Sequence, residues 1–256
     1  MIKFEKMFEN LTKIHDISTV FNDFLDYSID QFLINPNLKY FDFKKYSEEE
    51  HEIFFNLFTH WVETSHEYLK THDWFDMLGL IYEDIVQSKY KAGSKGQFFT
   101  PMSVCDALAK ITYYSMNDKE DSNVLKAYDS ACGSGRTLLA YHVLRPNDVC
   151  FGADLDITSC KMTCLNFLIH GVKGSVENMD SITLEWFNGW KINETLDIGM
   201  PLTIMECNNH KECNIMLGLS DDCKKIVVDN SIESKVMGSE ETVVSENKTG
   251  QMTLCK

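Results

Sequence analysis

Through residues 1–90 the apolar positions return every three or four residues. Val20, Phe21, Phe24, Leu25, Ile29, Phe32 and Leu33 fall on one face of a helix. Ser47, followed by Glu48, Glu49 and Glu50, reads as the cap and acidic first turn of a second helix over 47–70. Phe54, Phe55, Phe58, Trp61 and Val62 form its expected buried stripe. A third helix is predicted over 73–90, with Phe75, Leu78, Ile81, Tyr82 and Ile85 on one face. Gly93, Ser94 and Gly96 then break the pattern. Beyond the break short β-like runs alternate with helical ones: strands at Val124–Tyr128, Val149–Ala153 and Ser175–Asn178, helices at 136–144 and 157–170. That alternation predicts an α/β class, a doubly wound parallel sheet with right-handed crossovers. After about residue 183 the pattern weakens. Trp186, Phe187 and Trp190 read as one more packed helical turn, and the polar stretch 229–256 as a mobile tail. The expected organisation is a helical domain at 1–92, an α/β domain at 93–228 and a tail at 229–256.

Composition narrows the setting. Hydrophobic residues are 44% and aromatic residues 12%, enough for a packed core rather than a disordered chain. No apolar run approaches the roughly 18–20 residues of a membrane helix, and the first residues carry no apolar signal-peptide core. Nine scattered cysteines, an odd count, fit a reducing compartment, so a cytoplasmic location is expected. The net charge is −15, from 24 Lys and Arg against 39 Asp and Glu, with the acid excess greatest in residues 1–90. The two arginines are Arg136 and Arg145. Grip on nucleic acid comes mainly from basic side chains at phosphates, so this chain alone should hold DNA weakly and a more basic partner should supply the rest.

The sharpest local feature is Tyr128-Asp-Ser-Ala-Cys-Gly-Ser-Gly-Arg136, a strand running into a glycine turn that opens a helix. Gly133 and Gly135 permit positive backbone torsions and close approach of a ligand to the main chain. The third glycine of a dinucleotide fingerprint is replaced by Leu138. Two acids strengthen the signal. Asp129 ends the strand before the turn, and Asp154 ends the next strand, 19 residues after Gly135, where a carboxylate can accept from ribose hydroxyls. An acid at the first strand's tip suits a cationic amino-acid group better than a pyrophosphate, which favours S-adenosylmethionine over NAD. The bland alternative is a tight strand–helix turn without a ligand.

In this region the chain resembles S-adenosylmethionine-dependent DNA adenine-N6 methyltransferases, in particular the modification subunits of type I restriction systems. Asp129–Gly135 resembles their first motif. Gly96-Gln-Phe-Phe-Thr-Pro101 resembles the cofactor motif they place before the first strand, and Trp74–Ser88 the helix ahead of it. Phe151–Asp156 with Leu165–Gly171 resembles the second motif and its helix, and Asn178–Ser181 the third. The resemblance runs from about 74 to 183 and implies a Rossmann-like methyltransferase domain preceded by helices. It implies that Phe98, Thr100 and Pro101 wall the methionine end of the cofactor, and that Asp129 meets its amino group directly or through water. Ala131, Cys132, Gly133, Ser134 and Gly135 would give main-chain contacts. Asp154 would bind the ribose hydroxyls, Leu155 would cover the adenine face, and Asp180 would accept from the adenine amine. Arg136 reads otherwise as a solvated helix start, and Cys132 as a small packing residue.

The family's catalytic tetrad, Asn/Asp-Pro-Pro-Tyr/Phe after the fourth strand, is missing. Its amide or carboxylate holds the flipped base's amine and its ring stacks on the base. The four prolines are Pro36, Pro101, Pro146 and Pro201, none adjacent. Leu196–Leu202 stands nearest the expected position but has neither the amine acceptor nor the aromatic ring. No catalytic residue is assigned, and the chain is expected to be inactive alone. The alternative is a non-catalytic accessory or regulatory subunit paired with a true DNA methyltransferase. Either reading implies DNA and a protein partner, such as a specificity or second methyltransferase subunit, and no membrane. A methyltransferase acting on RNA, protein or a small molecule is disfavoured by Gln97–Pro101. Cys207, His210, Cys213 and Cys223 are spaced unusually for zinc, and the cysteines read as free thiols, so no metal is expected.

Overall fold

Ser47 stands before three glutamates, and its hydroxyl accepts from the Glu50 main chain while the Glu50 carboxylate accepts from the Ser47 N–H at 2.8 Å. This reciprocal cap opens the longest of the described helices. The structure is a computed structural model that describes residues 2–87, 99–115, 124–199, 202–213, 244–246 and 252–254. The helices before the glycine break are α1 (Ile2–Thr12), α2 (Ile17–Asp30), α3 (Glu48–Leu69) and α4 (Met77–Ile81), the last continuing as a π-helical turn, Tyr82–Gln87. Val20, Phe21, Phe24, Leu25 and Ile29 are buried as the periodicity requires. In α3, Phe54 and Trp61 are buried and Phe58 and Val62 pack on the core, but Phe55 points to solvent. Its place one residue after Phe54 turns it about 100° off the stripe.

After the break come α5 (Met102–Ser115), β1 (Lys126–Asp129), α6 (Arg136–Leu144), β2 (Val149–Asp154), α7 (Ile157–His170), β3 (Gly174–Asp180), β4 (Glu185–Ile192), β5 (Ile204–Glu206) and α8 (His210–Cys213). The five strands lie in the order β1-β2-β3-β4-β5. β1, β2 and β3 are parallel, as the alternation predicts, with Asp129 opposite Gly152 and Asp154 opposite Asn178. The fully parallel expectation fails beyond β3: β4 and β5 run antiparallel. The aromatic cluster at 186–190 is part of β4 and not a helical turn. Its spacing mimics a helix, but Trp190 and Ile192 are buried on either side of Lys191, a period of two. Leu196–Ile198 is a single 3₁₀ turn.

α6 and α7 cover one face of the parallel strands, α5 packs on α6, and α2 packs on α7. Side chains from α1–α4 and from the sheet-covering helices share one apolar core. At the far edge of the sheet the chain closes the ladder itself. Ile204 donates to Phe32 O and Ile34 donates to Ile204 O, so residues 32–34 lie along β5. Residues 1–216 form one compact unit. In the second, residues 217–256, β6 (Val244–Glu246) pairs antiparallel with β7 (Met252–Leu254). The domain limits expected at 92/93 and 228/229 lie outside the described residues. No described helix is long and apolar enough to cross a membrane.

Candidate functional site

The C-terminal ends of β1, β2 and β3 carry the acids that the sequence singles out. Asp129 closes β1, and its carboxylate accepts from the Ala131 N–H at 3.1 Å and from the Thr137 hydroxyl. These bonds begin the turn. Cys132 then ties it to the sheet through its N–H to Ala153 O at 2.9 Å. Gly133 and Gly135 both take left-handed torsions, φ 56° and 88°, which L side chains adopt at a cost. Gly135 is the N-cap of α6 and supplies no side chain to it. The first-turn N–H groups of α6 are therefore uncapped by a side chain at the turn, whereas Asp156 caps α7.

Asp154 reaches the same turn from β2. Its Oδ2 accepts from the Gly133 N–H at 2.9 Å and its Oδ1 from the Asp156 N–H at 2.9 Å. Burial raises its pKa, against those two hydrogen bonds, and the charge of Asp129 adds to the rise. The two acids therefore share one end of the sheet, joined by the glycine turn. Leu155, next along, is 64% exposed. Asn178 on β3 donates to Asp154 O and Leu155 O, at 3.1 and 2.8 Å, and fixes how Leu155 is presented. Asp180 accepts from Ile182 and Thr183 N–H groups, which lower its pKa, and so forms the turn after β3. In that turn Ser181 donates to Ser130 O at 2.8 Å, folding the loop back over the end of β1.

A cavity of about 60 Å³ lies against Phe99, Thr100, Asp129, Ala131, Cys132, Gly133, Ser134, Arg136 and Thr137. This holds part of a nucleoside-sized ligand, since whole ligand pockets run to several hundred Å³. Asp154 borders the turn and not that cavity. Pro101 is exposed just before α5. Phe98 lies outside the described residues, with Gly96 and Gln97. Cys132 is buried, with its sulfur 3.6 Å from the Thr163 hydroxyl, and burial pushes its thiol well up. Buried there, it packs as a small apolar residue.

Arg136 departs from the solvated helix start that the sequence suggests. It is 5% exposed. Its Nε donates to Asp76 at 2.6 Å, its Nη2 to Glu83 at 2.8 Å and its Nη1 to Thr100 O at 3.4 Å. Its guanidinium also lies 5.3 Å from the Phe99 ring centre. Asp76 is the other half of this arrangement. It caps α4 through the Gly79 N–H and also accepts from Ser134 Oγ at 2.6 Å and Asn166 Nδ2 at 2.8 Å. The buried Asp76–Arg136 pair thus locks the segment at Phe99–Thr100 and the glycine turn onto α4. The sequence signal was Asp76 three residues before Gly79, a helix-capping position whose link to residue 136 no local pattern reveals. Arg145 is internal as well, its Nε 2.9 Å from Asp148 Oδ2. Both arginines are held by internal carboxylates.

The cysteine–histidine group near the C-terminal side does not assemble a metal site among the described residues. Cys207 and Cys213 are buried, and Cys223 lies outside the described residues. His210 Nδ1 instead lies 2.9 Å from Oε2 of Glu177, a fully buried carboxyl on β3. Burial pushes Glu177 up from 4.5 to about 7, against a Cys213 hydrogen bond, and burial also lowers His210. The unfolded chain therefore releases the Glu177 proton first. The Glu177 contribution to stability should fall as pH rises from about 4.5 to about 7 and level off above, with His210 contributing in the opposite sense. Glu177→Gln should remove about 2 kcal/mol of stability loss between about pH 5 and about pH 8 relative to wild type, read by urea unfolding at both. An unchanged slope would mean that Glu177 is not the group responsible.

The family model for N-6 DNA Methylase matches residues 74–200. The chain is 29% identical over 141 residues to the type I restriction enzyme MpnII methylase subunit of Mycoplasma pneumoniae, covering 50% of this chain and 25% of that protein. It is also similar, at 30% identity, to a solved type I restriction-modification system methyltransferase subunit from Streptococcus thermophilus. That similarity covers 38% of this chain and 20% of the other, with a TM-score of 0.29. The chain spans about a quarter of the length of the curated relative that it matches.

Proposed function

The chain belongs to the N-6 DNA methylase family, whose members use S-adenosylmethionine as methyl donor, and on that premise we propose that it forms the cofactor-binding part of a DNA adenine-N6 methyltransferase of the restriction–modification kind. The observation that carries this reading is the convergence of Asp129, Asp154 and the turn at 131–135 on one end of the sheet, joined by the Gly133–Asp154 hydrogen bond at 2.9 Å. The donor set suits a sulfonium nucleoside. Carboxylates face a cationic amine and ribose hydroxyls, an uncapped helix start offers N–H groups, and exposed Leu155 offers an apolar surface to a base. In the proposed assignment Phe98, Thr100 and Pro101 wall the methionine end and Asp129 takes the amino group. Residues Ala131, Cys132, Gly133, Ser134 and Gly135 contribute main chain, Asp154 holds the ribose, Leu155 covers the adenine and Asp180 accepts from its amine.

The bound group supplies an electrophilic methyl. This chain's residues orient it: Asp154 and the turn fix the nucleoside, and the Arg136–Asp76 pair holds the Thr100 segment against it. Alignment of a donor methyl with an incoming amine is mainly a matter of position. Holding and stacking the flipped base needs the tetrad that these 256 residues lack, so groups outside them complete the reaction. The same lack, with a net charge of −15, favours the second reading, a non-catalytic accessory subunit that binds the cofactor and pairs with a complete enzyme.

Calorimetry with S-adenosylmethionine should give binding that Asp154→Ala weakens by about tenfold or more, the loss of a charged hydrogen-bond acceptor. No heat from folded protein would remove both readings. Incubation of the chain alone with unmethylated DNA and labelled cofactor should leave the DNA unlabelled. Label on adenine would overturn the argument from the missing tetrad.

A further inference from the structure

We propose that Cys207 and Cys213 are a site of oxidative modification: a peroxide converts this thiol pair into an intramolecular disulfide that ties α8 to the end of β5. The two residues converge on Gly189 of β4. Cys207 follows β5, and its N–H donates to Gly189 O at 2.8 Å. The ladder sets Glu206 opposite Trp190, so Cys207 stands opposite Gly189 and its side chain leaves the sheet on the face that Gly189 leaves bare. Cys213 arrives on α8, which packs on β4 and β3. A Cβ on Gly189 would stand 2.6 Å from the Cys213 sulfur. The sulfur therefore occupies the place of the side chain that glycine lacks. Residues paired across antiparallel strands hold their Cβ positions about 5 Å apart. The Cys213 sulfur thus lies beside the Cys207 side chain. The Cys213 thiol is within hydrogen-bond reach of the Cys207 sulfur and of the Glu177 carboxylate.

The neighbouring thiols are placed differently. Cys150 is buried within β2, and Cys160 and Cys164 within the 14-residue α7. α8 is a single turn of four residues. It is held by the Ser175 hydroxyl, which donates to Cys213 O, and by bonds of Asn208 and Asn209 with Glu212. Its His210 side chain is 24% exposed. So short an element opens at lower cost than a central strand or a long helix. Closed, both sulfurs are buried, and the hydrogen bond with Cys207 and burial push the Cys213 thiol well up, so it stays protonated. Open, it regains the acidity of an ordinary thiol and meets a small oxidant.

The oxidant is a peroxide. The opened Cys213 thiolate attacks one peroxide oxygen, the O–O bond breaks, and the other oxygen leaves as water with the thiol proton. Cys213 is then a sulfenic acid. As α8 closes, the Cys207 sulfur attacks the Cys213 sulfur and the S–S bond forms. The S–O bond breaks, and the departing hydroxyl takes the Cys207 proton as a second water. Two thiols lose two electrons and one peroxide becomes two waters. The pair lies outside the proposed cofactor site, so its test is independent of the proposed function.

The folded 256-residue chain is treated with hydrogen peroxide, its remaining thiols are alkylated, and its tryptic peptides are mapped. Cleavage after Lys211 separates the two cysteines, so the disulfide shows as two joined peptides that a reductant parts, with fragmentation assigning the bond to Cys213 rather than Cys223. The expected result is this bond, formed about tenfold or more faster than any other cysteine pairing, with a Tm about 5 °C higher that dithiothreitol reverses. Cys207→Ala should stop the reaction at the Cys213 sulfenic acid, which dimedone traps; should that variant not fold, the mapping of the wild-type chain decides. Cys207 and Cys213 both alkylated after peroxide treatment of the folded chain overturn the proposal. So does a bond that forms only in urea, a bond from Cys213 to another cysteine, or a folded Cys207→Ala chain without the dimedone adduct.

Discussion

Replacing Asp76 by alanine is expected to destabilise the fold by about 3–5 kcal/mol, the cost of breaking a buried ion pair from one side. Asp76 is fully buried and each of its oxygens accepts two hydrogen bonds: Gly79 N–H and Asn166 Nδ2 on one, Ser134 Oγ and Arg136 Nε on the other. Alanine strips the α4 cap, worth about 1 kcal/mol by itself. It also leaves Arg136 buried with Glu83 as its remaining carboxylate. Asp76→Asn keeps the cap and removes the charge, and should fall between wild type and alanine. Urea unfolding of the three proteins gives the order. If alanine costs less than about 1 kcal/mol, the pair is not holding the segment at Thr100 to the glycine turn. Because Ser134 and Thr100 both belong to the proposed cofactor site, the folded fraction of either variant should also bind S-adenosylmethionine more weakly.

Gly133→Val should lower stability by about 2 kcal/mol and abolish measurable cofactor binding. Gly133 has φ 56°, and a Cβ there would stand 2.9 Å from the Phe99 ring. A β-branched residue resists the left-handed torsion, so the turn must shift. The same residue donates to Asp154, so any shift moves the turn and the acid proposed to bind ribose apart. Gly171→Ala is the control. It has φ 69° with open space around its Cβ position, so it carries a torsional cost without a clash and lies away from the turn. Gly133→Val losing binding no more than Gly171→Ala would separate the glycine turn from the cofactor.

The pattern of residues was legible where local chemistry decides. α6 and α7 begin and end where their apolar periods and flanking turns place them, at 136–144 and 157–170, because turn residues and burial agree along the chain. The Ser47 cap was legible for the same reason. β4 was not, since aromatic residues at 186, 187 and 190 fit a helix by spacing. Their pairing to β3, with a register shift at Asn178/Met179, is a contact between distant segments.

By itself the sequence determined the glycine turn, the two strand-tip acids and the absence of adjacent prolines, all carried by residues near one another in the chain. Tertiary structure alone decided that Asp76 and Arg136, 60 residues apart, neutralise each other beneath the turn, and that both arginines are internal. It also decided that β1 stands at one end of the order of the described strands. The physical reason is that hydrogen bonding within a turn depends on adjacent torsions. Charge pairing and strand order depend on which distant segments exclude water from one another, and no local period records that.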